Sequence, residues 1–224
     1  MNNKIMKLRD GRFLGYTEYG VPDGHPILFF HGLAGGARLD AVYLHQAAVR
    51  NHCRLIGIDR PGVGLSSMDS HRTILSWADD VEAFAENLNI QQFSIIGHSA
   101  GAPFAAACAY KIPSRLTGVA IVAGMGPFEI PEATASLSRG QRFLNKVIKA
   151  MPWVATCCMT LTSMMFKSPR LLQLGLKQMP EEDQIAIRSL GSDEAIAAMM
   201  MESFKQGVAG TSQEMRRIIE PWGI

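Results

Sequence analysis

The chain has 224 residues, 47% hydrophobic and 19% charged, a balance that supports a sizeable core and excludes disorder as the main state. Its 22 basic and 20 acidic side chains leave a formal charge of +2, too weak a field to gather a phosphate backbone, so nucleic acid is not an expected partner. Four cysteines (Cys53, Cys108, Cys157, Cys158) show neither metal-ligand spacing nor a disulfide framework, which reads as a reducing compartment. Met1 to Asp10 alternate basic with apolar residues and hold no continuous apolar run. No secretory signal is expected there, and localisation defaults to cytoplasmic. All six histidines lie at or before His98, whereas ten of the thirteen methionines lie at or after Met125. Two regions with different jobs are implied.

Strands alternate with helices through the first part of the chain. Arg12 to Tyr19 alternates like one arm of a hairpin, and Ile27 to Phe30 is a short apolar run suited to a strand buried on both faces. After the break at Gly32 to Gly36, Arg38 to Arg50 carries Leu39, Val42, Tyr43, Gln46 and Val49 at helical spacing, and Arg54 to Ile58 is a second buried strand. Thr73 to Leu88 predicts an amphipathic helix with Ile74, Trp77, Val81, Phe84 and Leu88 on one stripe. Phe93 to Ile96 is a third strand, Gly101 to Tyr110 an alanine-rich helix with Pro103 in its first turn, and Leu116 to Ala123 a fourth buried strand. The expected class is α/β, a mostly parallel sheet flanked by helices. After Gly126 and Pro127 the strands stop, and five helices are predicted: Ser138 to Met151, Pro152 to Phe166, Pro169 to Gln178, Glu181 to Leu190 and Asp193 to Gln206.

The strongest chemical signal is Gly97-His98-Ser99-Ala100-Gly101, a G-x-S-x-G between an apolar strand and a helix. Such a turn strains the serine backbone and exposes its hydroxyl at a helix N-terminus, where developing negative charge is favoured. Glycine is needed two residues to either side because a side chain there would collide with the neighbouring strand and helix. The second signal is His31-Gly32-Leu33-Ala34-Gly35-Gly36, a loop whose backbone N–H groups face the carboxyl ends of the strands. A phosphate-cradling loop is the rival reading, but neither G-x-x-x-x-G-K-[ST] nor G-x-G-x-x-G is present.

These two motifs, with Asp59-Arg60-Pro61-Gly62-Val63-Gly64-Leu65-Ser66 between them, make the chain resemble the α/β-hydrolase superfamily from about Arg12 to Gly124. The resemblance implies Ser99 as nucleophile, Leu33 and Ala100 N–H groups as the oxyanion hole, and His31, Gly32 and His98 at the substrate site. It also implies a core over residues 1–126, a helical cap over 127–220 and a return to the core at 221–224. Serine rather than aspartate at position 99 argues against the epoxide-hydrolase and haloalkane-dehalogenase branches, and the lack of a GGPG loop weakens a proline-iminopeptidase assignment. In the superfamily an acid and then a histidine follow the serine, yet no histidine follows Ser99. Asp59 and Glu129 are candidate acids with no histidine to orient. His98 is expected to pack against the sheet and His31 to be a structural loop residue.

The expected function is therefore a serine hydrolase of carboxylic esters, or of related acyl or carbon–carbon substrates, acting on an apolar small molecule without metal or organic cofactor. As this chain stands it is expected to be nearly inactive, since a serine without a base loses several orders of magnitude in rate. Truncation is favoured over a shortened natural module because the strand ending at Ala123 would be an unprotected edge. The alternative is a non-catalytic ligand-binding or interaction protein on the same fold. Arg139, Arg142, Lys146 and Lys149 form a basic stripe, read as the solvated face of a lid helix, with peripheral membrane contact the lesser reading. Val154 to Phe166 is too short to span a bilayer, and Met164, Met165, Met199, Met200 and Met201 suit either a core or an adaptable apolar pocket.

Overall fold

The computed structural model of the protein describes residues 3–135, 137–189 and 191–224. Met1 and Asn2, which open the segment read for a secretory signal, and Leu190, the end of the fourth predicted cap helix, lie outside the described residues.

Six strands, β1 (Lys4–Lys7), β2 (Phe13–Gly20), β3 (His25–Phe30), β4 (Cys53–Ile58), β5 (Phe93–His98) and β6 (Leu116–Val122), form one sheet. Their order is β1-β2-β4-β3-β5-β6. β1 and β2 make an antiparallel hairpin and β2 runs antiparallel to β4, while β4, β3, β5 and β6 are mutually parallel. The mostly parallel sheet expected from the alternating pattern is present. β1 escapes the sequence reading because four residues are too few for alternation to stand out.

Successive side chains of β3 serve opposite faces. Leu28 and Phe30 pack with Ile56, Ile58, Phe93 and Ile95 beneath α2 (Trp77–Asn87) and α3 (Ala102–Lys111), and Trp77 meets Phe30 and Phe104 edge-on at 5.5 and 6.2 Å. Phe29 faces the other way, against Ala41, Ala48 and Leu55. The single helix expected over Arg38 to Arg50 is instead a 3₁₀ segment, Ala37–Leu44, followed by α1 (His45–Arg50). Its tight winding has a cause: buried Asp59 accepts both the Arg38 amide (2.7 Å) and the Arg38 guanidinium (2.8 Å), drawing that turn onto β4 where Gly57 leaves room for the Arg38 backbone. Likewise α2 starts four residues later than its pattern, because Thr73 and Ser76 exchange side-chain to amide bonds of 2.9 Å that hold a separate turn.

One burial expectation is overturned. Composition reads Leu116 to Ala123 as a buried strand, yet Val119, Ile121 and Val122 are 39, 54 and 50% exposed, in line with the expectation that this strand is an unprotected edge. β6 pairs with β5 alone and forms the sheet edge, and no described element covers its outer face.

Beyond β6 the described elements are all helical: α4 (Pro131–Ala135), α5 (Arg139–Ala150), α6 (Trp153–Lys167), α7 (Pro169–Leu176), α8 (Glu181–Arg188), α9 (Asp193–Met200), a 3₁₀ turn at Met201–Phe204 and α10 (Ala209–Ile219). Ser138 and Gln141 close a capping box at the start of α5. That helix buries Ile148 and leaves Arg139, Arg142, Lys146 and Lys149 exposed. α10 breaks the rule that glycine ends helices: Gly210 lies inside it because Gly62 passes so close that any side chain would strike the Gly62 carbonyl. No described helix is long and apolar enough to cross a membrane.

Candidate active site

β5 ends at His98, and the chain turns sharply through Ser99 into α3 with Ser99 at φ +51°, a left-handed conformation that a non-glycine residue adopts only when its surroundings impose it. The surroundings here are two glycines without room for a Cβ. At Gly97 a Cβ would lie 2.8 Å from Ala105 Cβ, and at Gly101 it would run into the Phe30 carbonyl. β3, β5 and α3 thus meet at this turn, and Ser99 is lifted toward a cavity of about 550 Å³ at the carboxyl end of the sheet. The hydrogen bonds Met125 N–H to Ser99 O (3.2 Å) and Ala102 N–H to Ser99 O engage the serine carbonyl. Ala100, in the first helical turn, has no preceding carbonyl of that helix within reach of its N–H.

The glycine loop after β3 supplies the opposite wall. A Cβ on Gly32 would lie 3.5 Å from Ser99 Cβ and 3.5 Å from His98 Nδ1, so loop and elbow are in contact. His31 is buried behind them. Its Nε2 accepts the Arg60 amide (3.3 Å), which assigns the ring proton to Nδ1, 2.8 Å from Gly32 O and 3.0 Å from Arg60 Nη2. Burial, with the nearby Arg60 charge, pushes this imidazole down to about 3, so it is neutral at physiological pH. The Arg60 guanidinium adds bonds to His31 O (2.7 Å) and Gly32 O (3.3 Å). Because C=O and N–H of a trans peptide point in opposite directions, fixing Gly32 O turns the Leu33 N–H the other way. That N–H has no acceptor among the described residues.

Arg60 is itself gripped from the helical region. Glu214 of α10 accepts from its Nε at 2.9 Å and its Nη2 at 2.5 Å, Arg72 stands 3.6 Å from the same carboxylate, and the Phe104 ring lies 4.7 Å beneath the guanidinium. Burial alone would raise the Glu214 carboxyl, but the two guanidiniums hold it below the usual range.

Of the residues singled out by sequence, Gly32, Leu33, His98 and Ser99 line the cavity. His31 and Ala100 are buried behind it, 1 and 0% exposed. His98 stacks on Phe29 with ring centres 6.5 Å apart, and burial lowers its pKa. The candidate acids lie elsewhere: Asp59 is enclosed by Arg38 and the Leu65 amide (2.8 Å), with burial raising it to about 6, and Glu129 is exposed. Among the methionines Met200 reaches the cavity, with Phe166 beside it. Sequence reasoning misses Asp40, which also lines the cavity. It also misses Glu214, since nothing local marks a glutamate that pairs 154 residues away.

Residues 25–149 match the model of the alpha/beta hydrolase fold family. Over 119 residues, 52% of this chain and 31% of the relative, the sequence is 29% identical to a proline iminopeptidase of Arabidopsis thaliana. Over 127 residues, 54% of this chain and 38% of the relative, it is 28% identical to a serine hydrolase-like protein of Danio rerio. The chain spans about a third of the length of the curated relatives it matches. Among solved structures, an esterase from Exiguobacterium antarcticum superposes with a TM-score of 0.67 at 15% identity, covering 98% of this chain and 74% of that one. A hydrolase from Pseudomonas aeruginosa gives 0.64 at 18%, covering 98% and 73%. The serine at the strand-to-helix turn, the glycine loop against it and the family match over more than half of the residues lead to one conclusion: the chain belongs to the alpha/beta hydrolase fold family.

Proposed function

We propose that this protein is a serine hydrolase of carboxylic esters, or of related acyl or carbon–carbon substrates, with Ser99 as nucleophile and the Leu33 and Ala100 N–H groups as oxyanion hole. The observation that carries the reading is Ser99 at φ +51° on a strand-to-helix turn, against the Gly32 loop at the wall of a cavity. In the reaction Ser99 Oγ adds to the carbonyl carbon and its proton leaves to solvent water. The carbonyl oxygen takes up negative charge between the two amides, and the leaving alcohol departs with a proton. Water then releases the acyl group and restores the serine. Phe29, Leu44, Ile96, Val122, Phe166 and Met200 supply the apolar surroundings that an acyl chain or aryl group would fill. Phe166 and Met200 come from the helical region, which supports reading residues 127–220 as a cap over a core of residues 1–126.

Neither nearby histidine is placed to take the proton. His31 donates its Nδ1 proton to Gly32 O and accepts the Arg60 amide, and the His98 ring stacks on Phe29. Slow acylation by this 224-residue chain is therefore expected. The test is labelling by a fluorophosphonate probe, which needs an activated serine but no particular substrate. Slow covalent labelling at Ser99, absent from Ser99→Ala, supports the proposal. Equal labelling of both chains, or none on the unmutated chain after exhaustive exposure, overturns it in favour of a non-catalytic binder.

A further inference from the structure

Besides Ser99 and His98, the polar side chains among the described residues lining the cavity are Asp40 and Tyr43, and of these Asp40 alone is a carboxylate, in otherwise apolar surroundings. Its Oδ1 accepts the Gly36 amide at 2.7 Å, and its Oδ2 has no hydrogen-bond partner among the described residues. The loop is shaped around this carboxylate. A Cβ at Gly35 would come within 2.5 Å of Oδ2 and one at Gly36 within 2.5 Å of Oδ1, so both positions must lack side chains for the carboxylate to sit there. Arg38 and Arg60 are engaged elsewhere: Arg38 on Asp59 and Glu202, Arg60 on Glu214. Tyr43, on the same wall, directs its hydroxyl to Met199 Sδ at 3.1 Å. A carboxylate has about four acceptor sites, and here one is met by protein.

An apolar ligand filling the cavity would strip water from Oδ2 and return nothing, which is the penalised arrangement for a buried charge. A ligand carrying an ammonium would replace that water with a charge-assisted hydrogen bond. We propose that Asp40 is the polar anchor of the cavity and selects ligands that are apolar along most of their length and bear a protonated amine at one end. This rests on the hydrolase reading only in calling the ligand a substrate. Burial, opposed by the Gly36 amide and the Arg60 charge and reinforced by Asp59, raises the carboxyl to about 6, so it is ionised at neutral pH.

The test uses Ser99→Ala, so that nothing turns over, titrated at pH 7.5 with 4-phenylbutylamine, 4-phenylbutanol and 4-phenylbutyrate while backbone amide resonances are followed. The amine is expected to bind at least tenfold more tightly than the alcohol and to move the Gly35 and Gly36 resonances. The carboxylate ligand is expected to bind most weakly. Asp40→Asn keeps an acceptor for the Gly36 amide and removes the charge, so the amine preference should fall to within twofold. Equal affinities for amine and alcohol, or amine-induced shifts that avoid Gly35 and Gly36, overturn the proposal even if the variant fails to fold. So does an amine preference that survives in folded Asp40→Asn. Fluorophosphonate labelling of the Ser99-containing chain is scored separately: loss of labelling with the amine preference intact removes the hydrolase reading and leaves the anchor standing.

Discussion

Glu214 offers the sharpest perturbation, because one substitution strands two buried cations. Arg60 and Arg72 are 0 and 4% exposed, and the Glu214 carboxylate between them is 1% exposed. Glu214→Ala leaves both guanidiniums without their counter-charge, and removing one partner of a buried pair generally destabilises by about 3–5 kcal/mol. For a chain of this size each kcal/mol lowers the melting temperature by roughly 2–4 °C, so a fall on the order of 10 °C is expected. Exposed pairs such as Arg9–Glu86, at 3.1 Å, set the baseline: Glu86→Ala should change stability by less than about 1 kcal/mol. The double variant Arg60→Met/Glu214→Leu removes one cation together with the carboxylate but leaves Arg72 without that partner, so it should recover only part of the loss. Urea unfolding of the unmutated chain, Glu86→Ala, Glu214→Ala, Arg60→Met, Glu214→Leu and the double variant measures this. A loss below about 1 kcal/mol for Glu214→Ala, or a double variant worse than both singles together, would refute the claim that this pair is internally compensated. The same substitution frees Arg60 from one side and should broaden the Gly32 and Leu33 amide resonances.

Two further outcomes follow from the local geometry. Gly101→Ala should destabilise by more than about 2 kcal/mol through collision with the Phe30 carbonyl, whereas Gly118→Ala, where the nearest atom is Ser94 Oγ at 3.7 Å, should be neutral or mildly stabilising; equal effects on thermal unfolding would discard the elbow packing argument. His31 should stay neutral with its proton on Nδ1 throughout pH 5 to 8 in imidazole nitrogen spectra. Since its folded pKa of about 3 lies below the unfolded 6.5, this group removes stability as pH falls from 6.5 toward 3. The loss is about 2 kcal/mol by pH 5. Asp40 and Asp59, raised to about 6, act in the opposite sense between about 6 and 4, so the check is the slope difference between the unmutated chain and His31→Gln. A His31 ring that titrates near 6.5 contradicts the assignment.

The parallel sheet was legible because β3 and β4 bury both faces over their last residues and β5 buries one face and half-buries the other, and short continuous apolar runs record that directly. The elbow was legible for a different reason. Gly97, Ser99 and Gly101 answer to steric demands within five residues, and such demands leave a fixed spacing in the chain. β6 was legible only in part: its composition is that of a core strand, while its exposure depends on what lies beside it, and only the lack of a following strand pattern marked it as an edge. The segment Ala37–Leu44 misled because hydrophobic spacing reports a face, not a winding, and the winding there follows from the bond of Arg38 to Asp59, 21 residues on.

The same contrast explains which parts of the candidate site stayed hidden. Leu33 and Ala100 can be named from motifs because backbone amides need only a loop and a helix start. What directs the Leu33 amide, however, is a relay through three side chains: Glu214 holds Arg60, Arg60 and His31 hold Gly32 O, and the rigid peptide passes that orientation to the next N–H. Each link is specific in space and unmarked in sequence, since Arg60 sits in a loop and Glu214 lies past the last helix that the spacing predicts, in α10. The relay joins the helical region to the core through the peptide that faces Ser99. Whether that region moves as a lid or stays docked, α10 must keep its grip on Arg60 for the amide to hold its aim, so any motion has to arise in α5 to α9 rather than at the Glu214 end.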